Sequence, residues 1–338
     1  MTDLKPPRST ANPVPVRRVG SVRRTTSIDV TWTDGPNGPR RFEGRARDVL
    51  KGTDGMDRVR AAAEMSALVT FDRTITAITA TPSPPGLERL VGERGGGHLR
   101  MVLGEILPGL IAEAHPLYLL LDDISGTSLV SNWGWSQWGE DWIERMRTAT
   151  GAVNLAEMLS DRTNVCWGFQ PGFSSHNLES RFSDQTAADG KELRNPEDPA
   201  GWHDFPVSEG IAFRRARRID VWRESGELRV EASFQDSAPR PDGGRAALHE
   251  YVIRAKLDPA TLALETLEPE GRVLPFHECP GAITNARGLI GTPLGQIREA
   301  VLGKLRGPQG CTHLNDALRA LAEVPRLLES LDAELATA

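Results

Sequence analysis

Polar and apolar residues alternate in two separate parts of the chain, and this alternation predicts β-hairpins in both. Residues 20–33 are rich in Val, Thr, Ile and Trp with partial alternation, as in a strand. The Gly- and Pro-containing stretch 34–38 predicts a turn, after which 40–48 returns as a second strand. Further strands are predicted in a hairpin over 66–80 and near 210–223, 227–236, 248–257 and 261–267.

Helical spacing of apolar residues follows each group of strands. It covers 99–113, with a kink expected at Pro108. Helices are also predicted near 140–160, 292–305 and 312–334. Hairpins followed by helices predict an α+β fold in which antiparallel sheets carry helices on one face.

Two sequence patterns recur at almost the same offset, which indicates that the chain contains two similar halves. The pattern Arg-Arg-x-x-x-Ile-Asp-Val occurs at 23–30 and again at 214–221. Arg-x-x-x-Gly occurs at 100–104 and again at 287–291. Such echoes are typical of internal duplication.

The repeat divides the chain into four parts. Residues 1–16 are predicted to be a disordered leader, 17–130 a degenerate first α+β copy, 131–208 an insert, and 209–338 the second copy. The polar end of the insert is expected to be a long surface loop. The insert is rich in tryptophan and contains Trp133, Trp135, Trp138, Trp142, Trp167 and Trp202.

Composition narrows the class of protein. Hydrophobic residues make up 39% and charged residues 25%, as in a soluble globular protein. A net charge of −6 argues against a nucleic-acid partner. There is no apolar run long enough for a membrane span and no signal-peptide pattern. Three cysteines are too few for a disulfide framework, so we expect a cytoplasmic protein with reduced thiols. A homo-oligomer is left open.

Four side chains of the second copy are candidate metal ligands. They are His249, Cys279, Cys311 and His313, and the first copy has no equivalent at the matching places. Imidazole and thiolate ligands suit zinc or iron in tetrahedral geometry. The sequence thus predicts a metal or nucleophile site in the second copy.

Two alternatives accompany the metal site. Cys311 precedes a predicted helix, whose dipole favours a thiolate nucleophile. His313 or His249 would then act as the base, with Glu250 orienting it. The other alternative is that the cysteines are buried apolar residues without a chemical role.

The tryptophans of the insert offer a second kind of site. Trp133, Trp135, Trp138 and Trp167 are predicted to contact an aromatic or apolar ligand. The alternative is that they anchor the insert to the core.

The second half resembles the bacterial DUF2889 family over about residues 210–325. The resemblance rests on Arg215 to Val221 with Asp236, His249-Glu250-Tyr251, Cys279-Pro280, Gly288 to Gly291 and Gly310-Cys311-Thr312-His313-Leu314. The family has His-Asp-Met where this chain has His-Glu-Tyr. The resemblance implies a Cys/His site and no established chemistry.

These observations favour an enzyme of small-molecule catabolism. We expect a lyase or hydrolase that acts on a small apolar or aromatic molecule, with a bound metal or a thiolate at the reacting centre. The site is expected to face the boundary between the halves. The alternative is a non-catalytic metal- or ligand-binding protein in which the Cys/His set is structural.

Overall fold

The computed structural model describes residues 14–35, 38–139, 162–176, 187–190, 192–206 and 210–336. The predicted helix near 140–160 and most of the predicted leader lie outside these residues.

The described residues form nine strands and seven α-helices. The strands are β1 Ser21–Trp32, β2 Arg40–Lys51, β3 Asp57–Val69, β4 Ile75–Thr81, β5 Ala188–Gly190, β6 Ala212–Glu224, β7 Glu227–Pro239, β8 Arg245–Leu257 and β9 Leu264–Val273. The helices are α1 Leu99–Ile106, α2 Pro108–Ala112, α3 Pro116–Val130, α4 Gly281–Ala286, α5 Ile297–Lys304, α6 Thr312–Arg319 and α7 Val324–Leu335.

All nine strands belong to one antiparallel sheet. Its order is β4-β3-β2-β1-β6-β7-β8, and both β5 and β9 pair with the outer edge of β8. Each group of strands is followed by helices, so the predicted α+β class is confirmed. The break expected at Pro108 is also present, because α1 ends at Ile106 and α2 begins at that proline.

Strands β1 and β6 join the two halves in a reciprocal register. Arg24 lies opposite Ile219, and Ile28 lies opposite Arg215. In the repeated sequence pattern, Arg215 is the equivalent of Arg24, and Ile219 is the equivalent of Ile28. The pairing is therefore isologous, as across a two-fold axis between identical subunits.

Ion pairs across this junction are reciprocal too. Arg23 Nε lies 2.5 Å from Asp220 Oδ1, and Arg214 Nε lies 2.6 Å from Asp29 Oδ1. All four side chains are buried. Breaking one partner of a buried pair leaves an uncompensated charge, so these contacts tie the halves into one register.

The helices cover one face of the sheet. Helix α3 packs on β1, β2 and β3, α7 on β1 and β6, and α6 on β7 and β8. The core between helices and sheet includes Ile28, Phe42, Leu120, Phe234 and Leu331. Helix α3 was not predicted, because it is buried on nearly every side and its apolar residues show no helical period.

The opposite face of the sheet is covered by residues 192–206. Trp202 of this segment packs with Val14 and Ala216 in a small second core. The described part of the stretch 181–201, predicted to be a surface loop, contains only three-residue elements, and many of its residues are exposed while others pack on the sheet. The end of the predicted leader is ordered as well, since Asn195 Nδ2 donates to the carbonyl oxygen of Val14 at 2.7 Å.

Candidate functional site

A carboxylate and an imidazole face each other between β7 and β8. Asp236 lies opposite His249, and Asp236 Oδ2 is 3.1 Å from His249 Nδ1. Because an ionised carboxylate only accepts hydrogen bonds, Nδ1 of His249 carries a proton and donates it to Asp236. A β-bulge next to this pair leaves Leu248 without a partner on β7. Bulges of this kind re-aim neighbouring side chains and are frequent beside active sites.

Arg215 holds Asp236 in its charged form. Its Nε and Nη2 donate to the two carboxylate oxygens, each at 2.9 Å. Burial alone would raise the pKa of Asp236, which is 0% exposed, but Arg215 and the hydrogen bond from His249 hold it well below its usual range. Asp236 is thus a fixed anion at the base of the site.

His313, near the start of α6, completes the group. Its ring stacks on His249 with 3.7 Å between ring centroids and 20° between the planes. Burial, His249 and Arg215 lower the pKa of His313 well below its usual value, although Asp236 opposes the shift. The imidazole of His313 is therefore neutral at neutral pH.

Asp236, His249 and His313 together can hold a metal ion. One donor atom from each lies within 4.8 Å of the others, and no other group of His, Cys, Asp and Glu in the described part of the chain meets this condition. Two imidazoles and a carboxylate suit zinc or iron(II). Alternatively, Asp236 orients His249 as the carboxylate partner of a base or ligand.

The predicted ligands Cys279 and Cys311 are not part of this group. Both thiols are buried, and Tyr251 Oη donates to Cys311 Sγ at 3.3 Å. Burial raises the pKa of the Cys311 thiol, and it raises that of Cys279 well above the usual value. The thiolate expected at the start of α6 is therefore disfavoured, because burial outweighs the helix dipole.

Cys166 of the insert lies near the other two thiols, so all three cysteines of the chain share one region. Burial, followed by the nearby Cys311, raises the pKa of Cys166 to about 12. The adjacent Trp167 donates its backbone N–H to the carbonyl oxygen of Gly310 at 2.7 Å. This part of the insert thus packs on the second half beside the cysteines.

Glu250 does not orient His249. Successive side chains of a strand point to opposite faces of the sheet, so Glu250 faces away from its neighbour. Its carboxylate accepts from Gln235 Nε2 at 2.7 Å. Asp236 orients the His249 ring, which is the role predicted for Glu250. The only signal for Asp236 was its place at the end of the repeated hairpin.

The predicted tryptophan platform is divided among several contacts. Trp133 is buried in the main core, and Trp135 packs edge-on against Trp32 at 5.7 Å between ring centroids. Trp138 Nε1 donates to the carbonyl oxygen of Pro239 at 2.9 Å. Trp142 lies outside the described residues. These contacts favour the anchoring role over ligand stacking.

Side chains of the first half form ion pairs beside the site. Asp123 of α3 accepts from Arg217 Nε and Nη2 at 2.7 and 2.6 Å. Arg100 Nη2 of α1 donates to Asp316 Oδ1 at 2.9 Å. Asp123 thus lies inside α3 and neutralises an arginine of β6. As expected, the site adjoins the first half of the chain.

The first half keeps the ion pair and lacks the imidazole. Arg24 Nε and Nη2 donate to Asp48 at 2.7 and 2.6 Å, as Arg215 does to Asp236. A β-bulge again follows the aspartate, and Ala61 lies opposite Asp48. Alanine therefore stands at the position that corresponds to His249. The first half thus has the arginine–aspartate ion pair and the β-bulge, but no imidazole at this position.

Comparison with known proteins covers the half that carries the site. The model of one family, described as a protein of unknown function (DUF2889), matches residues 213–326. Neither the curated proteins nor the solved structures include a match to the chain. No described helix is long and apolar enough to cross a membrane. The region that holds Arg215, Asp236, His249 and His313 is thus a match to the DUF2889 family.

Proposed function

We propose that the protein is a metal-assisted enzyme, a lyase or hydrolase, that acts on a small apolar or aromatic molecule. Its reacting centre is the group Asp236, His249 and His313. The observation that carries the proposal is the convergence of these three donors, with Arg215 fixing the charge of Asp236. The proposed setting is the cytoplasm, where the buried thiols stay reduced.

The chemistry of the site follows from its protonation. In the metal-free protein Asp236 accepts the Nδ1 proton of His249, and a metal ion bound by one donor atom from each of the three residues would release this proton. His313 is neutral and offers a second imidazole lone pair. Zinc or iron(II) bound here would act as a Lewis acid and would acidify a bound water.

The surroundings favour a small, largely apolar substrate. The ring of Phe234 lies 6.0 Å from that of His313 between centroids. The side chain of His313 is only 12% exposed, so access to the donors is narrow. A site with an apolar wall and a few convergent polar groups is typical of small-molecule pockets.

Metal binding is tested with His249→Gln and His313→Gln. We expect the wild-type protein, freed of metal with a chelator, to bind one equivalent of zinc or cobalt(II), and each variant to bind at least tenfold more weakly. His98→Gln is the matched control, because His98 is exposed and is not one of the three donors. Equal metal affinity in the wild type and both variants would contradict the proposed centre.

Catalysis is tested with a mixture of small aromatic and apolar metabolites. The wild-type protein should consume a component that His249→Gln leaves unchanged, whereas His98→Gln should behave as the wild type. Asp48→Asn is a second control, since it breaks the equivalent ion pair of the first half. It should lose stability and keep its activity per folded molecule.

A non-catalytic metal- or ligand-binding protein is the second candidate. The near-complete burial of Asp236, His249 and His313 favours it. If metal removal unfolds the protein and no metabolite is consumed, the donors have a structural role. A metal-free protein that stays folded and inactive, and regains activity with metal, supports the enzyme.

A further inference from the structure

Arg215 lies between acidic side chains on two sides. Its Nε and Nη2 donate to Asp236, one of the three proposed metal donors. Its third nitrogen, Nη1, lies 3.8 Å from Asp316 Oδ2 and 3.9 Å from Asp123 Oδ1. Within the described part of the chain, Nη1 is buried and has no hydrogen-bond partner. Asp316 and Asp123 therefore attract Arg215 by charge and without a hydrogen bond.

The guanidinium group of Arg215 is tightly packed. A Cβ at Gly126 of α3 would lie 1.8 Å from Nη1, so glycine leaves the space that the arginine needs. The guanidinium carbon also lies 4.8 Å from the centroid of the Phe234 ring. The side chain of Arg215 is 0% exposed. Its position relative to Asp236 thus depends on the neighbouring charges, since water does not reach it.

Asp316 links Arg215 to two other arginines. Arg100 Nη2 of α1 donates to Asp316 Oδ1 at 2.9 Å, and Arg319 of α6 donates to the same oxygen. Asp316 follows His313 by one helical turn, so the two side chains lie on one side of α6. The ion pair with Arg100 therefore holds α6, which carries His313, against a helix of the first half.

Positive and negative charges alternate along this group of side chains. In order of contact they are Asp122, Arg100, Asp316, Arg215 and Asp236. Burial alone would raise the pKa of Asp316, but Arg319, Arg100 and Arg215 hold it well below its usual range. Asp316 is therefore an anion at neutral pH. The series of charges connects α3 of the first half with a proposed metal donor of the second.

We propose that Asp316 is a positioning residue for the metal donors, which sets Asp236 through Arg215 and His313 through α6. The inference rests on the proposed function, because it concerns the same group. The attraction of Asp316 for Nη1 offsets part of the attraction between Arg215 and Asp236, so that carboxylate stays available to a metal ion. The ion pair with α1 keeps α6 where the ring of His313 stacks on its partner imidazole.

The test compares cobalt(II) binding by Asp316→Asn and Asp332→Asn. Asp332 of α7 is the matched control, because it forms a bidentate helix-to-sheet ion pair at 2.9 and 3.0 Å with Arg223, near the end of β6, whereas Arg215 lies near its start. Asp316→Asn should bind cobalt(II) about threefold to tenfold more weakly than the wild type, less than the 10–100-fold loss typical of a direct partner of a ligand. Its cobalt(II) absorption bands should also shift, because they depend on ligand geometry. Asp332→Asn should leave the affinity within about twofold of the wild type and the bands unchanged.

A metal-free readout separates this inference from the proposed function. The proton NMR resonance of His249 Nδ1–H reports its hydrogen bond to Asp236 and is assigned by its loss in His249→Gln. It should shift in Asp316→Asn, because Arg215 then attracts Asp236 without an opposing charge, and should stay unchanged in Asp332→Asn. A wild type that binds no cobalt(II) refutes the metal centre, and the resonance then decides the role of Asp316.

A second variant covers the case in which Asp316→Asn does not fold, since Asp316 is 8% exposed and its ion pairs are largely buried. Arg100→Gln removes only the anchor on α1, and the Arg100 side chain is 22% exposed. Loss of a positive charge alone would strengthen cobalt(II) binding, so weaker binding by Arg100→Gln would show an effect of position. In the variant that folds, a wild-type resonance, or cobalt(II) binding as tight as in a metal-binding wild type, overturns the proposal.

Discussion

Replacing His203 with glutamine should flatten the dependence of stability on pH between pH 7 and 5. The ring is buried and its two nitrogens contact Thr25 and Ser27. Burial, then the charges of Arg47 and Arg45, disfavours its protonation and lowers its pKa to about 3. The folded protein therefore keeps this imidazole neutral throughout that range.

The magnitude follows from proton linkage. In the unfolded chain the pKa of His203 returns to 6.5, so the unfolded state binds a proton that the folded state does not. The stabilisation from the neutral ring is complete above the unfolded pKa and is lost as pH falls towards the folded pKa. Between pH 7 and 5 this residue should lower the free energy of unfolding by about 2 kcal/mol.

Urea unfolding followed by tryptophan fluorescence measures this difference, because buried Trp202 lies beside His203. The free energy of unfolding of the wild type should fall by about 2 kcal/mol more than that of His203→Gln between pH 7 and 5. The exposed-residue control His98→Gln should follow the wild type. Parallel curves for wild type and His203→Gln would refute the reasoning.

Three further changes test the packing around the site. Gly126→Ala should lower the free energy of unfolding by about 2 kcal/mol or more in urea titrations, because a Cβ there would lie 1.8 Å from Arg215 Nη1. Gly104→Ala, with an open position in α1, should be neutral or stabilising, and equal effects of the two changes would contradict this. Gly281→Ala should displace the ring of Trp167, 2.3 Å from the new Cβ, and destabilise by about 1–3 kcal/mol; unchanged stability and Trp fluorescence would contradict that packing. All three thiols should react with Ellman's reagent at pH 8 at least tenfold more slowly in the folded than in the unfolded protein, because burial raises their pKa. A thiol that reacts as fast in the folded as in the unfolded protein would contradict this prediction.

The hairpins of both halves were predictable from their strand-forming residues and from the turns between them. β2 shows the alternation of a strand with one buried face, whereas β1 is buried on both faces and alternates only in part. Helix α3 was not predictable in this way, because a helix that is buried on nearly every side has no polar face to set the period. The packing of residues 192–206 on the sheet was not predicted, because the polar composition of this segment is that of a surface loop.

The sequence predicted the location of the candidate site more accurately than the set of residues that form it. His249 and His313 were predicted and are stacked on each other. Asp236 was not assigned as a donor, because an acidic residue in a strand is usually exposed and only the position of Arg215 shows that it is buried. The thiols were assigned as ligands from residue type alone, and residue type does not reveal burial.

The reciprocal register of β1 and β6 determines how many sites one sheet can carry. A chain with only the second half would expose the free edge of β6, and the same strand of another copy would be the simplest cover. Such a pair would contain two identical imidazole groups. Here the covering strand belongs to the same chain and comes from the half with Ala61 in place of the histidine. Each sheet therefore has one complete group of imidazole and carboxylate donors. Residues of the first half can change without the same change in the second half, whereas in a symmetric dimer of identical chains every change occurs in both subunits.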